Sequence, residues 1–191
     1  STEGSASLFD SGIIRALNYA MDADVDIINC SFSIPQPTSA LIPAFETVLS
    51  AGKIVVISSG NSASTTLSEF ADRDGVIAVG NINYQDYRTQ SSSYGSGLKF
   101  VNYGTRIMSC SRLNPTYFVP MTGTSQASPI TAGIVALYKQ MFPTLSRTEL
   151  INKLIANAKI PHSSEDFNVE YGYGVIQPPA ELYELPIIKQ S

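Results

Sequence analysis

The 191-residue chain is poor in histidine, in cysteine and in charge: one histidine, His162, two cysteines, Cys30 and Cys110, and only 15% charged residues. The two cysteines stand far apart without a CxxC pair, which excludes a zinc ribbon and a disulfide-dense scaffold and leaves the redox compartment open. No apolar run approaches the roughly 20 residues that a membrane helix needs. The longest, such as Gly52–Ser58, are strand-sized, so no membrane span is expected. Twelve Lys and Arg against sixteen Asp and Glu give a net charge of −4, with the basic residues scattered. That distribution offers no electrostatic footprint for a phosphate backbone, and nucleic acid is not expected as a partner. The lone histidine matters because most acid–base chemistry near neutral pH uses a well-placed imidazole.

What is present points to a packed domain. Hydrophobic residues make up 43%, with 13 Gly and 11 Pro, which excludes disorder and collagen-like repeats. The length suits one compact domain spanning residues 1–191. Residue 1 is Ser, and the opening STEGSAS lacks the charged and apolar regions of a signal peptide, so a further segment upstream is expected.

Ile13, Ile14, Leu17, Ala20 and Met21 recur at helical spacing after Asp10-Ser11, which predicts a helix over 12–22. The β-branched stretch Val25–Cys30 reads as a strand, stopped by the prolines of SFSIPQPTS. A second helix, about 39–51, ends at Gly52, and Ile54–Ile57 has the apolar continuity of a strand covered on both faces. Val76–Val79 supplies another such strand; 84–97 reads as surface loop and 98–119 as short strands and turns. From Ser125 the pattern is helical until Phe142-Pro143, with Pro129 placed in the first turn. Ser146-Arg147-Thr148-Glu149 is a capping box opening a helix over about 147–158, and YGYGVIQPPAEL reads as a strand and a short helix. Strand, helix, strand with short links predicts an α/β fold with a parallel sheet flanked by helices.

Gly123-Thr124-Ser125-Gln126-Ala127-Ser128-Pro129 puts a hydroxyl where a loop enters an apolar helix. Ser125 there is an ordinary N-cap, or a nucleophile whose oxyanion would be favoured by the free N–H groups and positive end of the helix dipole. Asn61, after an apolar strand, is a turn residue or a side-chain donor. In combination, GTSQASP, VVISSGN, VDIINCS, GVIAVG, TAGIVALYKQMFP and YGYGVIQPPAEL resemble, in order and spacing, the C-terminal two-thirds of the subtilisin-like serine proteases. The resemblance implies a subtilisin-like fold lacking its N-terminal part, with Ser125 as nucleophile and Asn61 as donor to the oxyanion. It implies that Ser31-Phe32-Ser33 and Ser58-Ser59-Gly60 line the pocket for the side chain before the scissile bond, pairing with an extended peptide or protein substrate.

Several positions depart from the family pattern. Ser31-Phe32-Ser33-Ile34 replaces a glycine-rich segment, so Ser33 and Ile34 are expected to narrow the pocket towards small or slender side chains. Val101–Gly104 replaces an Ala-Pro-Gly turn and Ile130-Thr131 a His-Val pair. Lys99 stands where an acidic residue is common, and neither a metal nor another cofactor is expected. Family order is aspartate, histidine, serine, so the first two belong to a segment upstream of residue 1. His162 follows Ser125 and reads as an exposed loop residue; Asp22, Asp24 and Asp26 read as solvated or capping. The resemblance implies a secreted endopeptidase of which this chain supplies half the machinery. The alternatives are a catalytically inactive subtilisin-fold binding module and an α/β-hydrolase esterase; the latter would need Glu149 and His162 as acid and base.

Overall fold

The computed structural model describes residues 3–32, 34, 37–111 and 116–184, with side chains between Asp10 and Leu182. Four strands form the parallel centre of a sheet: β1 (Ile27–Cys30), β2 (Ile54–Ser58), β3 (Val76–Ile82) and β4 (Leu98–Tyr103), hydrogen-bonded in that order. Before β1 runs helix α1 (Glu3–Asp22), and α2 (Leu41–Ser50) joins β1 to β2. After β4 come a separate antiparallel hairpin, β5 (Ile107–Cys110) and β6 (Phe118–Met121), then α3 (Thr124–Met141) and α4 (Arg147–Ala156). Two-residue strands β7 (Ala158–Lys159) and β8 (Val175–Ile176) extend the sheet beyond β4, and a 3-10 turn follows at Ala180–Glu184. β1 is therefore one outer strand of the six-stranded sheet and β7 the other.

The expected α/β architecture is present, and β2 explains it most directly. Every residue of β2 is buried, and its side chains alternate between two cores. Val55 and Ile57 join Val76, Ala78 and Leu98 beneath α1 and α2, where Leu17, Phe45 and Val48 pack. Ile54 and Val56 join Ile77, Val79 and Phe100 beneath α3 and α4, with Val135, Tyr138, Leu150 and Leu154. A sheet buried on both faces gains its stability from area removed from water on each side, at about 25 cal/mol per Å².

Three local departures have physical causes. α1 begins at Glu3, nine residues earlier than expected, and Asp10 lies inside it rather than at its cap. The Asp10 carboxylate is buried and accepts the Thr38 N–H at 3.0 Å, tying α1 to the segment before α2. Pro129 is the sixth residue of α3, not in its first turn; without an N–H it cannot donate to the carbonyl of Ser125 four residues earlier. β7 went unpredicted because two residues show no periodicity.

The capping box at α4 is formed as expected: the Ser146 hydroxyl accepts the Glu149 N–H and the Glu149 carboxylate accepts the Ser146 N–H at 2.9 Å. Bonds from the Ser146 hydroxyl and backbone hold the Glu149 pKa below its ordinary value. A depressed carboxylate stabilises the fold above the unfolded-state pKa and loses that contribution as pH falls through the folded one. Ser146→Ala should therefore lower stability by about 1 kcal/mol near neutral pH. The deficit should shrink in acid; denaturant titrations at neutral and acid pH check it.

Candidate active site

Parallel strands send their carboxyl ends to one edge of the sheet, which is where loops after β1 and β2 meet the N-terminus of α3. β2 ends at buried Ser58, and Ser59 follows, its hydroxyl donating to the Ser93 carbonyl at 2.8 Å. Gly60 turns the chain with φ +107, a conformation that favours glycine, and its carbonyl accepts the Ser93 N–H at 3.0 Å. That clamp delivers Asn61 to α3. The Asn61 Oδ1 accepts two donors from Thr124, the N–H at 2.9 Å and the hydroxyl at 3.1 Å. With Oδ1 held by two donors, the Nδ2 end of the amide is the end directed away from Thr124.

Ser125 is the second residue of α3, so its N–H has no acceptor within the helix. The first turn carries no acidic side chain to offset the positive end of the helix dipole. The Ser125 hydroxyl, half-buried, donates to the Ser31 carbonyl at 2.9 Å. Ser31 is itself braced: Asn29 Nδ2 donates to its hydroxyl at 2.8 Å, while the Ser128 hydroxyl donates to Asn29 Oδ1 at 2.7 Å. Thus two hydrogen bonds, Ser125 to Ser31 and Ser128 to Asn29, join the end of β1 to the N-terminal part of α3, and Asn29 links the two acceptors through its own bond to Ser31. From the other side Gly104, just past β4, accepts the Gly123 N–H at 2.9 Å. A Cβ at position 104 would stand 2.5 Å from the Gly123 carbonyl oxygen, so only glycine permits this approach.

The remaining sequence-derived positions separate. Ser59 and Gly60 line a hollow of about 230 Å³ beside Asn61. Phe32 is half-buried and lines a different, apolar hollow of about 340 Å³ between α1 and β1, with Ile13, Leu17 and Cys30. Ser33 lies outside the described residues. Ile34 is buried in the core beneath α1 and α2, so it adds no volume beside Gly60. Thr124, Asn29 and Ser93 were not singled out from sequence; Thr124 lies inside GTSQASP and Asn29 inside VDIINCS, whereas Ser93 carried no signal. His162 is exposed, stacks on Tyr87, and shares a 3.1 Å contact between Nε2 and the Gln85 carbonyl. Burial pushes the Cys30 thiol up to about 12, leaving it protonated and inert near neutral pH. Among the described residues no group of three or more His, Cys, Asp or Glu is placed to hold a metal.

The Ser125 hydroxyl, at the second position of α3, and Asn61, bonded to the neighbouring Thr124, are thus brought to the same end of the sheet. The sequence model of the subtilase family matches residues 2–174. The chain belongs to the subtilase family. Subtilisin DY of Bacillus licheniformis is 34% identical to this subtilase over 152 residues, covering 78% of the chain and 55% of that protein. Subtilisin Savinase of Lederbergia lenta is 34% identical over 155 residues, covering 79% and 55%. The subtilase thus spans just over half the length of these relatives. Its fold superposes on the prenylagaramide maturation protease PagA with a TM-score of 0.74 over 88% of the chain and 64% of PagA, at 21% identity. Among the described residues no helix is long and apolar enough to cross a membrane.

Proposed function

We propose that this chain is the nucleophile-bearing part of a secreted serine endopeptidase. One observation carries the reading: the double capture of Asn61 Oδ1 by Thr124 turns its Nδ2 away beside the N-terminal turn that bears Ser125. Ser125 Oγ attacks the carbonyl carbon of a peptide bond while a histidine takes its proton. The oxyanion that develops accepts hydrogen bonds from Asn61 Nδ2 and the Ser125 N–H. Collapse returns the proton from histidine to the leaving amine, and water then hydrolyses the acyl-serine by the same route. An aspartate orients the histidine.

The histidine and aspartate come from outside these 191 residues. His162 is engaged with Tyr87 and Gln85, and the Ser125 hydroxyl donates to a backbone carbonyl rather than to a base. Ser31, Phe32, Ser33, Ser58, Ser59 and Gly60 are the proposed substrate-binding segments. The polypeptide alone is accordingly expected to show no peptidase activity, because a serine hydroxyl without an adjacent base is a weak nucleophile. Co-refolding it with the segment encoded upstream and following hydrolysis of a chromogenic peptide tests the reading. Turnover that requires both pieces supports it. Turnover by the isolated chain that disappears in Ser125→Ala would reveal a base within these residues, whereas peptide binding without turnover in the assembled protein would indicate a non-catalytic module.

A further inference from the structure

The hollow beside Asn61 is unusual in being built almost entirely of hydroxyls: Ser59, Ser62, Ser64, Thr66, Ser68 and Ser93 line it, with Gly60 and Leu67 completing the wall. Most of these hydroxyls are already committed. Ser59 Oγ donates to the Ser93 carbonyl at 2.8 Å, Ser64 Oγ donates to the Thr66 carbonyl at 2.7 Å, and Ser62 Oγ and Ser93 Oγ lie 3.4 Å apart. Ser68 differs. Its Oγ is shielded from solvent and has no hydrogen-bond partner among the described residues.

We propose that this hollow receives a short, uncharged, hydrogen-bonding side chain of a bound peptide, such as Thr or Asn, and that Ser68 is the residue that selects it. The proposal rests on the peptidase reading above and names the substrate class for that cleft. A buried hydroxyl left unpaired is costly, so an occupant that pairs with it is favoured over one of the same shape that does not. Serine turns between staggered positions about a single bond, which lets Oγ meet an incoming donor or acceptor without backbone movement. A volume of about 230 Å³ is below the roughly 300–1,000 Å³ of pockets for drug-sized ligands, and suits a single side chain. None of the lining residues is charged, so a lysine, arginine or carboxylate would be desolvated without a counter-ion.

The test is a titration of the 191-residue chain with acetyl-Ala-Ala-Ala-X-amides in which X is Thr, Val, Asn or Leu, followed by amide chemical shifts. Thr and Val share a shape and differ by one hydroxyl, so their ratio isolates the bond to Ser68. Thr should bind about fivefold to tenfold more tightly than Val, and Asn more tightly than Leu by a similar factor. Ser68→Ala should reduce each ratio to within about twofold, while Ser64→Ala, whose hydroxyl is already paired, should leave them unchanged. If Ser68→Ala loses its folded spectrum, Ser68→Cys, close in size with a weak donor, carries the same expectation. Equal binding of Thr and Val with shifts at Gly60 and Asn61, or ratios unmoved in the Ser68 variants, overturns the selection and leaves the peptidase reading intact. Peptides that shift none of Gly60, Asn61 and Ser125 overturn the peptide cleft itself.

Discussion

Under the proposed peptidase function, Ser125→Ala in the assembled protein is expected to lower kcat by about 10⁶-fold, a scale taken from loss of the nucleophile in subtilisin itself. The acyl intermediate of the proposed mechanism is an ester to Ser125 Oγ, and alanine has no atom to form it. The substitution leaves the proposed substrate-binding segments at Ser59 and Gly60 in place, so KM should stay within about threefold when chemistry is slow relative to dissociation. The substitution also removes the bond from the Ser125 hydroxyl to the Ser31 carbonyl, a loss of about 1 kcal/mol in stability at most, since that carbonyl stays near the cleft. A stopped-flow comparison with a peptide p-nitroanilide should show the burst of the unmodified enzyme vanish. A variant retaining more than a hundredth of the rate would place the nucleophile elsewhere.

Asn61→Ala is expected to cost roughly 10²–10³ in kcat, again the magnitude known for the corresponding donor in subtilisin. Here the side chain has two ends with separable duties. Its Oδ1 anchors Thr124, and its Nδ2 is the donor proposed for the oxyanion. Asn61→Asp keeps the acceptor for Thr124 but replaces the donor by a second carboxylate oxygen, which would repel an oxyanion. Stability should therefore be preserved in the Asp variant and lowered in the Ala variant, while activity falls at least as far in Asp as in Ala. If Asp instead restored activity, anchoring of Thr124 and not oxyanion donation would be the residue's contribution.

The buried strands were legible because each is a continuous apolar run with a fixed period; Ile54–Ile57 could be read from its composition alone. Ser125 and Asn61 were singled out by the resemblance of GTSQASP and VVISSGN, taken together, to the subtilisin-like pattern; alone they read as a helix cap and a turn residue. The contacts that hold them were not legible, since they join residues with no shared periodicity. Ser93 braces Gly60 across 33 positions, and Asn29 braces Ser128 across 99. The early start of α1 escaped for another reason: Gly4, Ser5, Ser7 and Ser11 are weak helix formers, so local propensity gave no hint of the tertiary contact made by Asp10. Ile34 shows the converse error, a residue that resembled a pocket wall by alignment but was apolar enough to enter the core.

β1 ends the described sheet on the side nearest Ser31, pairing with β2 through one edge only. A strand in that position carries backbone donors and acceptors along its outer edge, at which a further strand can add. If the piece bearing histidine and aspartate joins there, sheet completion and assembly of the catalytic groups become a single thermodynamic event. The melting temperature of the chain would then rise with the concentration of that piece, as it does for any protein whose partner binds only the folded form. Thermal stability would thereby report, without any substrate present, how much of the population is competent to cut.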